Sequence, residues 1–286
     1  MRPTRKRHPE FEALTAFEYP QHLRDAMDDL PAAPGVYIFH GDSEILPLYI
    51  GKSVNIRNRV LSHLRNEEEA RLLRQTRRIS HIRTAGEIGA LLLEASLIKQ
   101  RQPLYNQKLR RTKQLCSWLL NDTGAQIAYS RDVNFATQKG LFGLFASKRG
   151  ALEAMHLLAD QNRLCYCVIG LEKLSAGKPC FRYMLHQCAG ACCGQEDLAT
   201  HHARLLSSLQ SMQVECWPYP GAIALVERFN EEVQLHVVAQ WCYLGSVQDP
   251  KDAYSLARQA AGFDADGYKI LCRPILGGLA EIIPLW

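Results

Sequence analysis

Apolar and polar positions alternate in short, well-punctuated runs over the first hundred residues. PQHLRDAMDDL, residues 20–30, repeats its apolar positions at helical intervals and predicts a short amphipathic helix. Pro31 and Pro34 then force an extended entry into a strand predicted at Val36–His40. Gly41-Asp42 supplies turn residues, and a second strand returns at Leu48–Ile50. The result is a hairpin with one tyrosine on each arm, Tyr37 and Tyr49. Ser53 is placed to cap a helix running to about Leu64, with Val60, Leu61 and Leu64 inward and Arg57, Arg59 and Arg65 elsewhere. A helix over Glu67–Arg78 and a strand over Ile79–Thr84 follow. The next helix, Glu87–Gln100, has Ile88, Leu91, Leu92, Ala95 and Ile98 on one face and Leu93 and Leu97 on the other, so it is expected to be buried on both sides. Pro103 ends it.

Residues 115–145 read as β-rich, Ala151–Leu164 as a helix, 165–193 as a cysteine-rich stretch, and Asp197–Gln213 as another helix. The Trp217-Pro218-Tyr219-Pro220-Gly221 run reads as a linker or boundary. Beyond it, alternating segments such as LHVVAQWCYLG predict a small mixed or β-rich module. The chain therefore divides into an N-terminal extension (1–30), a small mixed α/β domain (31–113), a connecting β/α segment (114–164), a cysteine-rich metal-binding module with its helix (165–215) and a small β-rich C-terminal module (216–286). The overall class is α+β.

Composition adds limits. With 286 residues, 47% hydrophobic and 22% charged, the chain is that of a globular protein with several small cores. No apolar run approaches the roughly 20 residues that cross a bilayer, and the basic opening MRPTRKRH is not followed by the apolar core of an export signal. A cytoplasmic protein without membrane contact is expected. Residues 1–113 hold 20 of the 34 lysines and arginines but 13 of the 29 acids, so the first domain is basic and the remainder slightly acidic. That asymmetry suits a phosphate-binding domain. Ten cysteines in a reducing compartment point away from disulfides and toward metal.

The hairpin carries two aromatic-glycine signatures, Gly35-Val36-Tyr37 and Tyr49-Ile50-Gly51-Lys52, with Arg59, Glu94 and Asn106 behind them. Cutting a phosphodiester needs an activated water, positive charge on the crowded phosphate and support for the leaving oxygen. Glu94 lies about 100° from the centre of its helix's apolar face, which brings its carboxylate to the rim of the core. One carboxylate suits a magnesium ion that keeps most of its waters. Free tyrosine, with a pKa of about 10, is too weakly acidic to act as a base near neutrality unless a cation lowers it, and Lys52 stands three residues on. Arg59 offers a planar fork for phosphate oxygens, with Arg57 as the competing choice.

These residues, together with LYIGKSVNIRNRVLSHL (48–64) and GEIGALLLEASLIKQRQPLYNQKLR (86–110), resemble the GIY-YIG endonuclease family, and within it the N-terminal half of the excision-repair subunit UvrC. The resemblance implies that Tyr37, Tyr49, Lys52, Arg59, Glu94 and Asn106 form the catalytic site, with Tyr49 as general base and Glu94 as ligand of Mg2+ or Mn2+. One departure is His63, where UvrC proteins commonly have a tyrosine; it is expected to contact phosphate, act as a base, or lie on the helix surface. Cys165, Cys180, Cys188 and Cys192 follow C-x14-C-x7-C-x3-C, similar to the cysteine region of UvrC. In that family four thiolates are associated with a 4Fe-4S cluster; tetrahedral zinc is the alternative, and Cys167 and Cys193 are neighbouring candidates. Arg182, Tyr183, His186 and Gln187 lie in the same stretch and are candidates for approaching DNA. The implied activity is incision of damaged double-stranded DNA 3′ of a lesion on a complex loaded by UvrA with UvrB. A UvrB-independent nuclease of recombination or restriction, and a non-catalytic cluster-bearing DNA-binding protein, are the other readings.

Overall fold

The computed structural model describes residues 21–43, 45–107, 109, 114–121, 124–173 and 178–286. The expected N-terminal extension lies outside these up to residue 20. Two compact units divide the chain. Among the described residues, the first combines those of 21–109 with 226–236 and 245–250, and the second those of 114–225 with 237–244 and 251–286.

In the first unit, β1 (Gly35–His40) is the middle strand of an antiparallel sheet, flanked by β2 (Pro47–Ser53) and β3 (Arg78–Arg83). Side chains alternate across it. Val36, Ile38 and Ile50 pack on Leu97 and Ile98 of α4 (Glu87–Arg101). Tyr37 and Phe39 face the opposite way, onto Ile56, Val60 and Leu64 of α2 (Ile56–Leu64) and Leu72 and Leu73 of α3 (Ala70–Gln75). Helices on both faces explain why every residue of β1 is buried. The two-sided apolar pattern of α4 is borne out, since Gly89, Ala90, Leu92, Ala95, Leu97 and Ile98 are all buried.

Three local expectations are corrected. The 20–30 segment is helical only as α1 (Gln21–Asp25). Beyond it, the carbonyls of Asp28 and Leu30 accept from the Arg57 guanidinium instead of continuing a helix. The cap of α2 is Asn55, not Ser53: Asn55 Oδ1 accepts from the amide of Asn58 at 3.0 Å. Ser53 belongs to β2, and its hydroxyl closes the turn by bonding the amide and carbonyl of Asn55. The helix expected over Glu67–Arg78 is a single 3-10 turn, Glu67–Glu69, followed by α3. It ends where Thr76 turns extended and its hydroxyl donates to the Leu72 carbonyl.

The second unit contains β4 (Cys116–Asn121), paired with β5 (Gly124–Tyr129) and β6 (Leu141–Phe145) in the order β5-β4-β6, which bears out the β-rich expectation. Its core joins Trp118 and Phe142 to Met155 of α5 (Lys148–Gln161) and to Leu205 and Leu209 of α7 (Leu198–Leu209), and the Trp118 indole donates to the Ala151 carbonyl at 2.9 Å. A four-residue helix, α6 (Phe181–Met184), lies in the cysteine-rich stretch. The Trp217–Gly221 run is tied down rather than free. The Trp217 amide donates to Ala136 O at 2.7 Å, and its ring meets Trp241 edge-on at 5.0 Å. The C-terminal segment is mixed: β7 (Ile223–Phe229), β8 (Glu232–Ala239), β9 (Cys242–Val247) and β10 (Glu281–Pro284) form a four-stranded antiparallel sheet ordered β10-β7-β8-β9, accompanied by α8 (Pro250–Ala257) and α9 (Ala265–Leu276).

Candidate active site

Register places Tyr37 opposite Gly51, and the tyrosine ring lies across the glycine. A Cβ at Gly51 would sit 2.3 Å from the Tyr37 hydroxyl, so the second signature needs glycine for space. Gly35 is needed for conformation and space together: its φ is +153°, and a Cβ would lie 2.2 Å from the Ile82 carbonyl.

The ring centroids of Tyr37 and Tyr49 are 6.2 Å apart, and His63 from α2 completes the stack at 5.3 and 5.7 Å. Tyr37 Oη and His63 Nε2 are hydrogen-bonded at 2.7 Å, while His63 Nδ1 contacts the Glu69 carboxylate. With Glu69 ionised, Nδ1 carries the proton, so Nε2 accepts from the Tyr37 hydroxyl. Arg59 and Tyr49 both act electrostatically on the Tyr37 hydroxyl, and Tyr37 and Arg59 act likewise on Tyr49. Arg59 is otherwise exposed, as a phosphate-binding guanidinium needs to be. Arg57 is committed to backbone carbonyls, which separates the two arginines.

Electrostatics within this group follow burial. Desolvation raises both tyrosines above their ordinary value, and the charge of Glu94 adds to this while Arg59 opposes it. Burial also lowers the pKa of His63, against the pull of Glu69, and raises that of Glu94, against the Lys52 amide and charge. Lys52 does not lie against the phenols. Its ammonium is held by Glu87 Oε1 at 2.5 Å, in the first turn of α4, and the cation that acts on Tyr37 is Arg59.

The exposed edge of β2 carries the remaining residues. Glu94 Oε1 accepts the Lys52 amide at 3.0 Å. Asn106 accepts from Ile50 N at 2.9 Å and donates to Ile50 O at 2.8 Å, so one side chain imitates a neighbouring strand. Leu104 N and Tyr105 N continue that imitation on the carbonyls of Pro47 and Leu48. Pro103 explains the placement, because the chain leaves α4 through Gln102 in the left-handed conformation and turns back along the edge. Among the described residues, the second oxygen of Glu94 accepts no hydrogen bond, and a lone half-buried carboxylate with one free oxygen fits a hard divalent ion that retains several waters.

In the cysteine-rich stretch, the thiols of Cys165, Cys180, Cys188 and Cys192 lie within 4.8 Å of one another, and the first three are buried. Cys167 and the exposed Cys193 fall outside the group. Backbone donors point at it: Cys180 N to Cys192 Sγ at 3.4 Å and Gly190 N to Cys188 Sγ at 3.3 Å. His201 accepts the Cys165 amide at 3.0 Å. Burial, with the neighbouring thiols of Cys188 and Cys192 adding to it, pushes the Cys165 thiol up to about 12, whereas hydrogen bonds from the Cys180 amide and neighbouring thiols bring Cys192 below its ordinary value. Four convergent thiols are the donor set of a soft metal centre. Arg182, a candidate for DNA, is instead paired with Asp160 at 2.8 Å, stacked over Tyr166 at 3.9 Å and bonded to Gln187.

Three family models match this chain. The UvrC-like GIY-YIG domain matches residues 33–107, the UvrC/Cho excinuclease middle domain residues 107–211, and the excinuclease Cho C-terminal domain residues 222–286. Excinuclease cho of Escherichia coli K12 is 55% identical over 276 residues, covering 96% of this chain and 94% of that protein. The chain belongs to the excinuclease Cho family. Excinuclease cho of Salmonella typhimurium LT2 is likewise 55% identical with the same coverage. UvrABC system protein C of Caldicellulosiruptor saccharolyticus is 30% identical over 60% of this chain and 30% of its own length. The magnesium-bound GIY-YIG N-terminal endonuclease domain of Thermotoga maritima UvrC is 35% identical over 30% of this chain and 98% of that domain, with a TM-score of 0.28.

As an excinuclease Cho family member, the chain is a GIY-YIG endonuclease of nucleotide excision repair and its substrate is DNA. No helix among the described residues is long and apolar enough to cross a membrane. Reading the sequence did not single out Glu69 or Glu87, the partners of His63 and Lys52. Glu69 is one of three consecutive glutamates, and nothing local distinguishes it.

Proposed function

We propose that this protein incises the damaged strand 3′ of a lesion, on DNA already carrying UvrB, using a Mg2+ or Mn2+ ion held by Glu94. The observation that carries the catalytic part is that Glu94, seated on the Lys52 amide, and the Arg59 guanidinium both act on the same Tyr37–Tyr49 pair. A divalent ion there would supply charge neutralisation at the phosphate. Arg59 binds phosphate oxygens and stays charged throughout. Tyr49 takes the proton of the attacking water as it gives its own to Tyr37, and Tyr37 passes its proton to His63 Nε2. This relay answers the high pKa of both phenols, because no phenolate accumulates while the proton moves on. Glu69 orients the imidazole and stabilises it once protonated, as the third member of a triad does. Asn106 keeps the β2 edge straight beneath Tyr49.

The 3′ polarity and the dependence on UvrB rest on similarity to the UvrC-type and middle-domain families. Nicking of a damaged plasmid with and without UvrA and UvrB tests them. A single 3′ nick that requires both partners is expected; efficient cutting of undamaged DNA by the protein alone supports a UvrB-independent nuclease.

For the four thiols, resemblance to UvrC supports a 4Fe-4S cluster. A second reading has its own observation: separations within 4.8 Å are nearer the edge of about 3.8 Å of a single tetrahedral zinc than the wider spread of a cubane, where each thiolate holds a different iron. Metal analysis of anaerobically purified protein decides between them, four irons per chain supporting the cluster and one zinc the single ion.

A further inference from the structure

α4 carries Glu94, yet its own N-terminal residue offers no cap, since Gly86 has no side chain to accept from the first-turn amides. Those amides are satisfied from 138 residues away. Glu227 on β7 accepts from Ile88 N at 2.9 Å through Oε1 and from Gly89 N at 2.7 Å through Oε2. His236 on β8, with no exposed surface, holds Glu227 Oε2 at 3.0 Å through Nε2, and its Nδ1 bonds Ser246 Oγ on β9 at 2.7 Å. Gln234 accepts from the amide of Ala85 at 2.9 Å, and Glu232 pairs with Arg83 at 3.0 Å. Glycines make the approach possible: a Cβ at Gly86 would lie 2.2 Å from Glu227 Oε1, and one at Gly89 would lie 2.3 Å from His236 Cε1.

Ser246, His236 and Glu227 have the connectivity of a hydrolase triad, but their placement argues for another task. The imidazole is sealed from solvent, and both carboxylate oxygens are spent on helix amides at the positive end of the α4 dipole. We propose that Glu227, oriented by His236, is a positioning residue for DNA cleavage: it anchors the first turn of α4 and thereby sets Glu94 and Glu87 against Lys52. Glu94 lies five residues beyond Gly89, about 7.5 Å along the axis. Both acids meet Lys52, Glu87 at its ammonium and Glu94 at its amide, so a shift of the helix start disturbs both contacts. The segment of the Cho C-terminal domain that holds Glu227 thus acts on the metal-binding helix from outside the GIY-YIG sequence block. This rests on the reading of Glu94 as a metal ligand.

The test uses full-length protein and the Glu227→Gln variant, which keeps the shape but loses one acceptor and the charge. Two readouts apply: the Mg2+ concentration for half-maximal nicking, and amide hydrogen exchange of residues 86–92 without metal. The expected result is a roughly tenfold higher Mg2+ midpoint, as for other residues that support a metal ligand, with the rate at saturating Mg2+ preserved within about twofold and faster exchange confined to the α4 start. A folded variant with an unchanged midpoint, or with nicking reduced by one factor at every Mg2+ concentration, overturns the proposal. Should Glu227→Gln not fold, His236→Gln is read the same way, a smaller rise in midpoint supporting the proposal and none overturning it. Wild-type nicking that needs no divalent ion would instead remove the metal reading of Glu94.

Discussion

His63, for which three roles were expected, is narrowed to one by its surroundings. It is buried between two phenols and a carboxylate, which suits the proton-accepting role proposed for it and leaves it no access to bulk phosphate. Burial lowers its folded pKa below the ordinary value of about 6.5. As pH falls through that ordinary value the unfolded chain takes up a proton that the folded chain refuses. The stability linked to this group is complete above about 6.5 and is lost toward the folded pKa. His63→Gln should therefore weaken the fall in urea midpoint between pH 7.5 and pH 5.5; an undiminished fall would show that His63 does not titrate as described. Glu94 is the other decisive residue. Glu94→Gln is expected to reduce nicking by roughly a hundredfold or more while DNA binding, measured by fluorescence anisotropy, persists. Unchanged nicking would remove it from the metal site.

The hairpin and α4 were legible because each obeys a local rule. Alternation marks β1 and β2, and a helix apolar on two sides marks one covered on two sides. Their functional details were less legible. The second signature's glycine is a matter of cross-strand packing, and Gly51→Ala should push the Tyr37 ring off its place. About 1–3 kcal/mol of stability and most of the nicking activity are expected to be lost, measured by urea denaturation and plasmid assay. Asn106→Ala removes both bonds to Ile50 from the β2 edge, so a cost of about 1–3 kcal/mol is expected. If that variant keeps full stability and activity, the edge needs no such support. The Ser53 cap failed because β2 runs on through Ser53 and Asn55 provides the better-placed oxygen.

On the scale of the whole molecule, two separate centres were visible from spacing: the basic nuclease block and the four cysteines. Cys188→Ser should lower bound metal to a fraction of the wild-type content and destabilise the second unit, read by metal analysis and thermal melting. Retention of full metal content would move the ligand set to Cys167 or Cys193. What the amino-acid order determined by itself is what depends on neighbours a few residues apart: the tyrosine hairpin, the two-faced helix, and the cysteine run whose turns bring four thiols together. Tertiary structure alone decided the pairings of Lys52 with Glu87, His63 with Glu69, and the α4 amides with Glu227. Each of these bonds engages a side chain whose local sequence looks like ordinary polar surface. Only the folding of distant segments against one another turns those charges into partners, because a hydrogen bond depends on distance in space and is indifferent to distance along the chain.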